Sequence, residues 1–133
     1  MVRKLSTLLA VAFAAGVWLA ASAFAGGGAR QTVLPETGQI TKAMISAGRD
    51  VFHGKGNCFL CHGAELEGSP FAPTLRDHKW KDAKDGTLPE IHRVVTSGVN
   101  GTAMVSRPGG INDVQAVYVA VYVWSVSHGA AKP

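Results

Sequence analysis

The chain has 133 residues, of which 13 are Lys or Arg and 9 are Asp or Glu, and its hydrophobic fraction is 47%. That length suits one small domain with a short addition. No basic run interleaved with aromatics occurs, so the formal charge of +4 gives no nucleic-acid footprint, and that class of partner is excluded.

The addition stands in front. Arg3 and Lys4 precede an apolar stretch from Leu8 to Leu19, and Ala23-Phe24-Ala25 supplies small residues around a cleavage point. This predicts a signal peptide over 1–25, cleaved after Ala25, and a periplasmic or otherwise exported protein. The rival is an uncleaved membrane anchor over residues 5–25, long enough to span a bilayer. The alanine-rich composition and the Ala-x-Ala ending favour cleavage. Loss of Arg3 and Lys4 would leave 11 basic residues against 9 acidic ones, a net +2. Residues 26–40 begin with three glycines and contain Pro35 and Gly38, which reads as a flexible linker. The folded domain is expected over 41–133.

Thr41 is placed to cap a helix running to about His53. Met44, Ala47, Gly48, Val51 and Phe52 recur at helical spacing and form its apolar face. A glycine in that face weakens the helix by about 1 kcal/mol relative to alanine. Gly48 is therefore either tolerated or marks close approach by another element. Gly54-Lys55-Gly56-Asn57 then breaks the helix.

Next comes Cys58-Phe59-Leu60-Cys61-His62, which holds both cysteines of the chain. Two thiols three residues apart can each add to one vinyl group of a porphyrin, and the adjacent imidazole is then held where it can bind the iron. A zinc site would need two more ligands, and no second cysteine pair or His-x-x-x-His supplies them. A redox dithiol belongs near a strand-then-helix pattern, which is missing. Export agrees with haem: outside the cytosol a lone cysteine pair tends to oxidise unless other chemistry consumes it.

With Gly48-x-x-x-Phe52 ahead of Cys58-Phe59-Leu60-Cys61-His62-Gly63, the chain resembles the class I mono-haem cytochromes c. The resemblance covers about Thr41 to Ser127. It implies an all-α, cytochrome c-like domain with three to four helices around one covalently attached haem c and its iron. It also implies that the N- and C-terminal helices cross through the glycine and an aromatic. One departure is visible: two more residues separate Phe52 from Cys58 than in compact members.

Downstream, Gly63 to Leu75 is rich in turn residues. Pro73-Thr74-Leu75 stands where the family has its Pro-x-Leu segment. The resemblance implies that the Pro73 carbonyl accepts the Nδ1 proton of His62 and that Leu75 packs on the haem face. On its own terms Pro73 is a rigid turn. Arg76 to Glu90 is charged and reads as a solvated loop. Trp80 within it either covers the core or, as the resemblance implies, sets its N–H against a haem propionate.

Leu88-Pro89-Glu90 opens a second helix that Ser97-Gly98 ends. Gly98-Val99-Asn100-Gly101-Thr102-Ala103-Met104 then resembles the loop that brings the sixth ligand. Met44 lies on a helix face, so Met104 is the methionine placed to bend onto iron, the alternative being a loop methionine packed in the core. Val105 follows it where the family often has proline.

Val117 to Trp124 is β-branched and aromatic, which favours a strand by propensity. Asn112 with Gln115 three residues on, and Gly129 past the end, argue for a helix from about 111 to 127. The resemblance decides for the helix. Tyr118, Tyr122 or Trp124 would then meet Gly48 and Phe52.

With His62 and Met104 both on iron, no position is open for substrate, and no nucleophile–base or carboxylate pair is placed for catalysis. The expectation is an electron carrier, not an enzyme, that acts with redox partner proteins and is a monomer. A haem-bearing subunit of an oxidoreductase complex and a small-ligand sensor with a displaceable Met104 are the alternatives.

Overall fold

The computed structural model describes residues 32–133. The expected signal peptide over 1–25 and the first part of the linker lie outside the described residues. Within them there are four α-helices and no strand: α1 (Lys42–His53), α2 (Phe59–His62), α3 (Leu88–Ser97) and α4 (Asp113–Ser127). No helix among the described residues is long and apolar enough to cross a membrane.

The Thr41 side chain caps α1 by accepting from the Met44 N–H at 3.3 Å. At α4 the Asn112 side chain accepts from the Gln115 N–H at 2.9 Å, and the Gln115 side chain accepts in return from the Asn112 N–H at 3.0 Å. This reciprocal cap satisfies two orphan N–H groups and starts a helix where β-branched residues would otherwise favour extended chain. Ten of the fifteen α4 residues are buried, so the helix is wrapped on nearly all sides. A helix in that position has no need of a polar face.

α4 is the centre of the domain and packs against both α1 and α3. Gly48 is where α1 meets it. A Cβ on Gly48 would lie 2.0 Å from the Tyr118 carbonyl oxygen and 2.7 Å from Tyr122 Cβ. The glycine therefore serves close approach. Phe52 sits edge-on to Tyr122 with ring centroids 5.6 Å apart, and both are fully buried. Of the three aromatics expected here, Trp124 points elsewhere and stacks on His128 at 4.4 Å.

One further expectation is narrowed. The linker does not run free to residue 40, because Leu34 and Ile40 are half-buried against the core. The exposed His78 meets His128 edge to face at 4.8 Å and ties the 76–87 loop to the C-terminal end of α4.

Candidate haem site

α1 positions the cysteine motif through its last turn. The Gly56 N–H donates to the Val51 carbonyl at 2.9 Å and the Cys58 N–H to the Phe52 carbonyl at 3.1 Å. The two extra residues ahead of Cys58 are thus folded back onto α1, with Asn57 taking a left-handed turn at φ 50°. Cys58 starts α2, a single turn that brings His62 round onto the same side. The His62 N–H bonds the Cys58 carbonyl at 2.9 Å, and Gly63 ends the turn at φ 84°.

One cavity takes its walls from Cys58, Cys61, His62, Trp80 and Met104, together with Pro73 and Leu75. Every sequence-predicted site residue therefore lies on a single concave surface. Val95 of α3 and Val119 and Val123 of α4 also line it. Met104 is brought in by a loop pinned at its base. The Val99 N–H donates to the Met104 carbonyl at 2.8 Å, and the Ser106 hydroxyl donates to the Thr96 carbonyl at 2.6 Å.

His62 Nδ1 lies 2.9 Å from the Pro73 carbonyl oxygen. A carbonyl can only accept, so Nδ1 carries the proton and Nε2 keeps its lone pair. Burial pushes the His62 pKa below its usual range, with the Pro73 hydrogen bond opposing. The neutral imidazole that a metal requires is favoured. Burial pushes the Cys58 thiol up to about 11. That is the reverse of a reactive dithiol, whose attacking thiolate needs a lowered pKa. Among the described residues no three of His, Cys, Asp and Glu gather to hold a metal ion by themselves.

The donor set fits a haem. Two thiols and an imidazole stand on one turn, and a thioether stands on a separate loop. The Trp80 indole N–H supplies an independent sign, being buried in the structure with no hydrogen-bond partner. A buried donor left unmade costs about 1–3 kcal/mol. The ring is also fixed from behind, since any side chain at Gly86 would collide with it.

Sequence reasoning missed the residues that shape the 63–75 loop. The Ser69 hydroxyl donates to the Cys61 carbonyl at 2.5 Å. Arg76 pairs with the Glu65 carboxylate at 2.7 Å, and Leu66 is fully buried at φ 62°. These are contacts from side chain to distant backbone, and no periodicity announces them. Phe71, exposed at the cavity mouth, was also missed.

The cytochrome c family profile matches residues 45–127. The chain belongs to the cytochrome c family. Its cofactor is therefore haem c with its iron. Among solved structures it is similar to cytochrome cL from Methylophaga aminisulfidivorans, with 22% identity and a TM-score of 0.57 over 65% of this chain and 55% of that one. Cytochrome cL from Hyphomicrobium denitrificans gives 20% and 0.55 over 63% and 48%. The reducing HAO-like protein complex of Kuenenia stuttgartiensis gives 24% and 0.55 over 70% and 49%. At these identities the likeness shows a shared fold, and the chain spans about half the length of these solved relatives. Among curated proteins none matches the chain.

Proposed function

We propose that this cytochrome c is an exported carrier of single electrons, with thioether bonds from Cys58 and Cys61 and with His62 and Met104 as the two axial ligands. When bound, the haem supplies the one-electron ferric/ferrous couple. The observation that carries the reading is that all four side chains line one cavity while Pro73 holds His62 with Nε2 free. The Pro73 carbonyl orients the imidazole and raises its basicity as a ligand. The Met104 thioether, a soft donor, favours the reduced metal and so raises the potential. The valines of α3 and α4 that line the cavity would exclude water from it, which keeps the local dielectric low and would lift the potential further. The unpartnered Trp80 N–H would be available to a haem propionate, and Leu75, which lines the cavity, would contribute apolar surface to hold the group.

Visible and near-infrared spectra of the haem-loaded protein test this. A low-spin His–Met signature in the oxidised form is expected. Met104→Ala should abolish it, lower the potential and admit carbon monoxide. A spectrum unchanged in that variant would sink the ligand assignment. The second reading, a haem-bearing subunit of an oxidoreductase complex, draws support from the Kuenenia neighbour, itself a protein complex. One stoichiometric partner retained through purification at high salt would favour it over the free monomeric carrier.

A further inference from the structure

A formal charge of +4, or +2 once Arg3 and Lys4 are lost, suggests that the protein seeks an acidic partner. The placement of the charges argues otherwise. Residues 56–64, 68–75 and 94–106 form the cysteine turn, the loop after it and the methionine loop, and none of the three contains Asp, Glu, Lys or Arg. The charged residues in the cavity wall are Lys81 and Asp82, adjacent and opposite in sign, beside Trp80. Just outside these segments, Arg76 is paired with Glu65, Arg93 with Glu90 and Arg107 with Asp113, while Lys55 and Glu67, opposite in sign, have no ion-pair partner among the described residues.

The uncharged rim carries three exposed apolar side chains. Leu60 is 68% exposed, Phe71 84% and Val105 60%. Phe71 and Val105 border the cavity; Leu60 does not line it, so its exposure is independent of what the cavity holds. Phe71 is presented by a built turn. The Ser69 N–H donates to the Ala72 carbonyl at 2.8 Å, and the Phe71 N–H donates to the Ser69 hydroxyl at 3.1 Å. That hydroxyl in turn holds the Cys61 carbonyl. The backbone beneath Phe71 is thus held, so only the ring's own two side-chain torsions are left to order on docking.

We infer that the mouth of the haem cavity is a charge-free docking face anchored by Phe71, and that it fits a redox protein whose own port is apolar and uncharged. Interface cores are depleted in charge and enriched in aromatics, and exposed apolar patches mark interaction sites. Electron-transfer encounters bury less than about 1,200 Å² in total, so a few apolar side chains suffice. With no charged side chain in the three rim segments and a small net charge, steering is weak, and association should stay near the unsteered rate of about 10⁵–10⁶ M⁻¹s⁻¹ with only a mild dependence on salt. The inference rests on the electron-carrier reading but not on the identity of the axial ligands.

The probe is a second haem-loaded copy of the chain, because its mouth has the stated chemistry. Electron self-exchange is measured by NMR on mixed oxidised and reduced samples. The natural chain should change rate by less than about twofold between low and high salt, across which screening alters greatly. Phe71→Asp and Phe71→Lys should each slow exchange by about tenfold at low salt, since like charges then face each other. Exchange between a Phe71→Asp copy and a Phe71→Lys copy should outrun either like pair and should fall with salt. Leu60→Asp repeats the slowing by a second route, and Val33→Asp, which alters the same charge away from the cavity wall, should not slow it. Steep salt dependence in the natural chain, or Phe71 and Leu60 variants that exchange normally, would overturn the docking face. A spectrum without the His–Met signature would overturn the ligand assignment instead and leave the rate test intact.

Discussion

Gly48→Ala tests the crossing of α1 and α4, because two physical effects predict opposite signs. Helix propensity alone says that the alanine stabilises α1 by about 1 kcal/mol. The structure says that its methyl group would stand 2.0 Å from the Tyr118 carbonyl oxygen and 2.7 Å from the carbon behind it. A comfortable carbon–oxygen contact is about 3.3 Å. The helices must therefore part by about 1.3 Å, and the obstacle is backbone that cannot rotate away. Overpacking of this kind costs about 1–3 kcal/mol or more. Taking the upper end and subtracting the propensity gain leaves a net loss of about 2 kcal/mol. For a domain of this size that lowers the melting temperature by about 8–16 °C. Thermal and guanidinium unfolding of the haem-loaded protein measure it. Gly38→Ala serves as the comparison, because nothing lies within 4 Å of its Cβ. A Gly48→Ala protein as stable as the natural chain, or more stable, would refute the close crossing.

Trp80→Phe keeps the ring but removes the N–H that has no protein partner. If that donor bonds a propionate, the haem-loaded protein should lose about 1.5–3 kcal/mol, the worth of a hydrogen bond to a charged group. Equal guanidinium midpoints would mean that the donor reaches nothing. Burial holds the His92 pKa below its ordinary value of 6.5, Arg107 adds to the effect and Asp113 opposes it. A base whose folded pKa is depressed binds its proton more readily in the unfolded chain. Its stabilising effect is thus full above about pH 6.5 and is lost as the pH falls from there through the folded value. His92→Asn should flatten that part of the stability–pH curve, and an unaltered slope would exclude His92 as a source.

The cysteine turn was legible because covalent attachment fixes the spacing of its residues, whatever the rest of the chain does. Met104 was legible by elimination, Met44 being committed to a helix face. The last helix was harder. Val117 to Trp124 has strand propensity, and only the caps at Asn112 and Gly129 and the family resemblance pointed to α4. Burial on nearly all sides explains why: with no solvent face there is no polar stripe, so hydrophobic period carries no information. Leu66 at a positive φ, the Ser69 hydroxyl on Cys61 and the exposure of Phe71 left no trace in sequence. Each depends on what a loop meets after it has folded. The left-handed turn at Asn57 is similar, since it exists to absorb the two extra residues ahead of Cys58.

The crossing and the cofactor site share one helix. Tyr118 and Tyr122 receive Gly48 on one side of α4, while Val119 and Val123 turn toward the cavity, each next in sequence to one of the tyrosines. α1 also holds Cys58 directly, through the hydrogen bond from its N–H to the Phe52 carbonyl. A displacement of about 1.3 Å between α1 and α4 therefore moves the cysteine turn relative to the valine wall, in addition to loosening the core. A close-packed interior transmits such strain because it has little free volume to absorb it. Gly48→Ala should then shift the haem spectrum and midpoint potential as well as the melting temperature, whereas a core change that spares α1 should shift stability alone. Val126→Ala provides that contrast, because Val126 is buried in α4 and does not line the cavity. Removing its two methyl carbons costs about 1.6 kcal/mol at about 0.8 kcal/mol for each buried carbon, close to the loss expected at Gly48. Equal shifts in potential for the two variants would show that the crossing does not set the geometry of the site.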